Sequence, residues 1–146
     1  MSCKKQDTYI PVTIDCKLLK NIDTLKSLLP GTWVWLQEYR FIQRDRKFVY
    51  LTPKTEGYTL RMTLRNDTAF LYKNGLADST YKYNVVKLGV ISGTNFPEDD
   101  DPVLVFSNLR TGLRTYHVPI LACNNFLVQQ FQYVSSIIGE ETWERE

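Results

Sequence analysis

The chain of 146 residues is one domain's worth of polypeptide, and its 43% hydrophobic and 23% charged residues are ordinary for a globular protein. A net charge of +2, with no Lys/Arg run or basic helix, argues against nucleic acid and against direct adhesion to a membrane surface. No apolar stretch approaches the ~20 residues of a membrane-spanning helix, and "MSCKKQD" lacks the apolar core of a secretory signal. Aromatic residues reach 13% and fall in short alternating runs, the pattern of an all-β protein.

Residues 1–18 show no sustained period and read as a tether or arm, with one short extended piece from Tyr9 to Ile14. In "NIDTLKSLL", Ile22, Leu25, Leu28 and Leu29 recur at helical spacing behind Asn21, a good N-cap. Pro30-Gly31 ends that helix. About two turns cannot stand alone in water, so the apolar face must rest on another element.

Strands follow. "TWVWLQEYRFI" is the first, and residues 40–54 read as a basic, polar loop. "GYTLRMTLR" alternates Leu60, Met62 and Leu64 against threonines and arginines, as a half-buried strand does. Asn66-Asp67 and Asn74-Gly75 are turn chemistry around "TAFLYK", and "STYKYNVV" alternates Tyr81, Tyr83 and Val85 against polar residues. "PVLVFSN" and "LRTYHVPI" flank a turn at residues 110–112; "FLVQQFQYV" and "ETWERE" close the chain, joined through Gly139. The predicted fold for residues 19–146 is all-β: an up-and-down antiparallel barrel of about eight strands, with the short N-terminal helix closing one end.

Little in this string suggests catalysis or a cofactor. A single histidine, His117, excludes any multi-histidine metal site within one chain, and its place opposite Tyr116 suggests a surface or rim position. No G-x-S-x-G or phosphate-cradling glycine loop occurs. "PEDDDP", residues 97–102, lacks calcium-loop spacing and reads as a solvated loop. The chain is therefore not expected to be an enzyme or to hold a metal. Its chemical interest lies inside the barrel, where alternation places Met62, Leu64, Tyr81 and Tyr83, with Phe70 and Tyr72 alongside and Trp35 above Trp33 on one strand face. These residues either interdigitate as a filled core or line a cavity for one small ligand.

The helix running into "LPGTW", the strand meander and the terminal "TWER" together resemble the lipocalin-like proteins of Bacteroidetes, within the calycin superfamily. Gly31-x-Trp33 resembles the superfamily's first-strand G-x-W, and the resemblance implies that Arg145 packs over Trp33 as a structural fold marker. Ser2-Cys3 followed by Lys4-Lys5 is similar to a bacterial lipoprotein junction. That likeness implies a lipidated Cys3 and a monomeric protein held at the outer membrane of the cell envelope by its anchor. Cys16 and Cys123 would then either form a disulfide or remain separate thiols. The expected partner is a small apolar or amphipathic molecule, bound without chemistry. The alternative is a filled barrel whose loops (40–54, 95–102, 107–112) contact another envelope protein or a glycan.

Overall fold

The computed structural model describes residues 20–89, 101–122, 125–133 and 137–146. Cys3, expected to carry a lipid anchor, and Cys16 and Cys123, expected as a disulfide or as separate thiols, lie outside them, as does most of the acidic loop. Helix α1 (Ile22–Leu28) begins where the Asn21 side chain accepts a 3.0 Å hydrogen bond from the Thr24 amide. Leu25, and Leu29 just past the helix end, are fully buried and join Trp33, Leu64, Val85 and Leu104 in the core at one end of the sheet. The helix borrows its stability from that contact.

Nine strands follow among the described residues: β1 (Gly31–Ile42), β2 (Lys47–Leu51), β3 (Leu60–Arg65), β4 (Thr68–Lys73), β5 (Leu76–Lys87), β6 (Pro102–Asn108), β7 (Arg114–Ala122), β8 (Phe126–Tyr133) and β9 (Ile137–Arg145). All neighbouring pairs are antiparallel, and β1 also pairs with β9, which closes an eight-stranded barrel with β2 as the extra strand. Closure removes the sheet edges that an open meander would expose.

Two hairpin turns set the inner face. Asn66 and Asp67 both have positive φ (48° and 63°), as do Asn74 and Gly75 (52° and 77°), the geometry of two-residue turns that match strand twist. The first turn pairs Leu64 with Ala69 and Met62 with Leu71. Because Leu64 and Met62 are buried, Ala69 and Leu71 take the interior positions of β4. Phe70 and Tyr72, expected inside, therefore lie on the outer face: a turn of two residues leaves no other parity.

The region expected as a loop, residues 40–54, is mostly ordered sheet. β1 continues to Ile42, turns through residues 43–46 and returns as β2, which pairs with Glu38–Ile42. A four-residue helix, α2 (Pro53–Glu56), then leads through the left-handed Gly57 to β3, which pairs with β1 only over Gly31–Val34. Outside the barrel this arm carries Tyr39, Phe41, Phe48 and Tyr50, with ring centroids 4.8–5.4 Å apart. Gly139, expected as a joint between strands, lies inside β9. A Cβ there would meet the Phe131 ring at 2.4 Å and the Tyr39 carbonyl oxygen at 2.8 Å, so only hydrogen fits.

One irregularity governs the upper half of the interior. Trp35 faces Trp143 across β1–β9, but Gln37, not Leu36, faces Thr142. Leu36 is the extra residue of a β-bulge, and the side-chain alternation of β1 shifts by one beyond it. Trp33 and Trp35 point inward below the bulge, and Glu38 and Arg40 point inward above it.

Candidate functional site

At the end of the barrel remote from α1 lies a cavity of about 310 Å³. Its apolar wall comes from Trp35, Met62, Ala69, Leu71, Phe106 and Trp143, and Tyr58 and Tyr81 contribute phenol rings. Tyr58, on the segment between α2 and β3, stacks on Trp35 with centroids 5.9 Å apart and planes 16° from parallel. Of the residues named from sequence, Trp35, Met62 and Tyr81 line this space. Leu64 sits in the core beneath it, and Tyr83 packs against that core with its ring 6.3 Å from Phe106.

Alternation and burial missed the charged part of the wall. Glu38 and Arg40 from β1, His117 from β7, Gln129 from β8 and Glu141 from β9 all face the cavity. Glu38 and Glu141 are directly opposed in the β1–β9 register, and Glu38 is only 5% exposed. Arg40, nearer the mouth, holds Glu38 through Nη2 to Oε2 at 2.7 Å. Gln129 donates from Nε2 to Oε1 of Glu141, and Nδ1 of His117 lies 3.4 Å from that same oxygen. His117 is thus not on the rim; it is buried, because Thr115 and His117 share the inner face of β7 with the Phe106 ring 5.3 Å away.

Gln129 Oε1, His117 Nδ1 and Trp143 Nε1 are buried in this wall without a hydrogen bond among the described residues. Buried polar groups are normally paired, and an unpaired one costs about 1–3 kcal/mol. Among the described residues, no three His, Cys, Asp or Glu side chains converge to hold a metal ion.

Burial raises the pKa of Glu38 above its ordinary 4.5; Arg40 opposes the shift, and the charges of Glu141 and Glu56 add to it. A carboxylate raised in the folded state stabilises the fold fully below the unfolded value, and that contribution is lost as pH rises through the folded value. Glu38→Gln, which removes the charge and keeps the shape, should therefore raise the melting temperature at neutral pH. The gain should shrink as pH falls towards 4.5. Thermal melts of both proteins across that range check it, and a variant less stable at neutral pH would refute it. Glu140, also raised by burial, is unchanged in the variant and cancels in the comparison.

At the closed end, the guanidinium of Arg145 lies 4.4 Å from the centroid of the Trp33 ring. Arg145 also donates to the carbonyls of Pro30 (2.8 Å) and Leu28, capping the exit of α1, and Trp33 Nε1 donates to the Leu29 carbonyl at 2.8 Å. Gly31, at φ +136°, leaves room for this: a Cβ there would stand 2.5 Å from Arg145 Nη1. Gly31, Trp33 and Arg145 thus form one latch between the first and last strands of the barrel.

Fold and site together define a closed antiparallel barrel with an internal cavity that carries a buried charged cluster. Comparison with protein-family models, curated proteins and solved structures finds no match.

Proposed function

We propose that this barrel binds one small amphipathic molecule in its cavity and performs no chemistry on it. In this reading the protein is a lipocalin-like carrier or receptor held at a bacterial envelope by a lipidated Cys3. The observation that supports binding most directly is that two buried atoms, Gln129 Oε1 and Trp143 Nε1, find no hydrogen bond among the described residues on the wall of a roomy aromatic cavity. A filled core would have no use for them. A space of about 310 Å³ is at the small end of ligand pockets and suits roughly a dozen non-hydrogen atoms.

Native mass spectrometry of protein from its own host should show a small molecule released on denaturation. Leu71→Trp, which fills the cavity from a half-buried position, should lose that molecule and stay folded. Retention of the ligand by the filled variant would place it elsewhere and sink the proposal.

A second reading is favoured by the outer face of the arm, where Phe48 is 49% and Tyr50 42% exposed. Aromatic clusters in such positions serve as protein contacts, so an interaction module remains the rival function. Phe48→Ser with Tyr50→Ser would separate the two, because those rings lie outside the cavity.

A further inference from the structure

The charge and hydrogen-bonding balance of the cavity constrains its ligand. Resting on the binding reading above, we infer that the preferred ligand is a small organic cation, an ammonium group carried on a compact aromatic body.

Consider first the charges that face the cavity. Glu38 and Glu141 oppose each other across β1–β9, and Arg40 is the guanidinium among the lining residues. His117 adds a positive charge only when protonated. With a neutral imidazole the described residues of the wall carry one negative charge in excess. Glu56 of α2 adds to the negative field at Glu38 from outside the wall. The exposed Lys73 stands over the Tyr58 ring, 4.3 Å from its centroid. Arg40 pairs with Glu38 towards the mouth, whereas among the described residues Glu141 receives only the amide of Gln129 and the edge of His117. The uncompensated charge therefore sits deeper, at Glu141.

The hydrogen-bonding atoms agree. Only the amide nitrogen of Gln129 can donate to a carboxylate, so holding Glu141 leaves Oε1 as an acceptor in need of a donor. An ammonium group supplies up to three donors, enough for Glu141 and for Gln129 Oε1 together. A carboxylate ligand would supply none there and would meet two buried like charges. An alcohol would supply one donor but leave the excess charge in place.

The walls suit the rest of such a molecule. Trp35, Tyr58, Tyr81, Phe106 and Trp143 surround the charged cluster with ring faces and edges, and these attract both a cation and an aromatic body. That Lys73 already stands over Tyr58 shows one such face accepting an ammonium from the chain itself. At the other end of the ligand, Trp143 Nε1 offers a donor for a ring hydroxyl or a π face.

The test is calorimetric titration of the purified chain at neutral pH with three molecules of one shape: 2-phenylethylamine, 2-phenylethanol and 3-phenylpropionate. A neutral fluorescent probe of similar size, 2-naphthol, reports access to the cavity independently. The amine should bind about tenfold or more tighter than the alcohol and the acid. Glu141→Gln should remove that advantage without weakening the alcohol, as should Glu38→Gln in a variant whose melting curve shows it folded. If 2-naphthol or the alcohol binds and the amine binds no tighter, the cation inference fails and the cavity reading stands. If neither the probe nor any of the three binds, both fail.

Discussion

Trp33→Ala should cost about 3–5 kcal/mol, among the larger effects available from a single core truncation. The side chain is 1% exposed and fills the closed end among Leu25, Leu29 and Leu64. Its loss removes the indole packing, the 2.8 Å bond to the Leu29 carbonyl and the surface on which Arg145 lies. For a domain of this size that is roughly a 10–15 °C fall in melting temperature. Chemical denaturation with an unchanged m-value would assign the loss to stability alone. A midpoint within a degree or two of the parent would show that the indole does not hold the two ends together.

Gly31→Ala should be nearly as damaging, although it adds only one carbon. Two separate penalties act. A φ of +136° is strained for any residue with a Cβ, at about 1–3 kcal/mol. The new methyl would also lie 2.5 Å from Arg145 Nη1, driving the guanidinium off the Pro30 and Leu28 carbonyls and off the Trp33 ring. We expect a total near 3 kcal/mol. A double-mutant cycle separates the parts: in an Arg145→Ala background, Gly31→Ala should cost only its backbone strain. Equal costs in both backgrounds would show that the methyl and the guanidinium do not compete.

The barrel and its closed end could be read before the fold because their signals are short-range or chemically distinctive. Asn66-Asp67 and Asn74-Gly75 announce two-residue turns, and Leu60-Met62-Leu64 declares the parity of β3. The two-residue turn carries that parity into β4 and puts Ala69 inside, against the pull of the ring sizes in "TAFLYK". The larger rings, Phe70 and Tyr72, looked like core, whereas the register reserves the inside for Ala69 and Leu71. Size is a poor guide to orientation when an outer face is itself half-buried.

The charged cluster was hidden for a different reason. His117, Gln129 and Glu141 are on three strands, and only the closed sheet brings them together. A faint sign existed, since Gln129 lies between Leu127 and Phe131 on one strand face, and Glu141 lies two residues before Trp143. Glu38 and Arg40 carried no sign at all. Strict alternation from Trp33 and Trp35 would have put Gln37, Tyr39 and Phe41 inside.

That last point gives Leu36 a role its own side chain does not reveal. By taking up this surplus residue, the bulge sets which of two interleaved lists of side chains the upper barrel encloses. One list is acidic and basic, Glu38 and Arg40; the other is aromatic, Tyr39 and Phe41. Deleting Leu36 would leave Glu38 and Arg40 facing inward, because Gln37 would then follow Trp35 in regular alternation. Losing the bulge with Leu36 kept would instead slide the strand by one against β9 and turn Tyr39 and Phe41 inward. The charged lumen is thus held by a kink in the backbone as much as by residue identity.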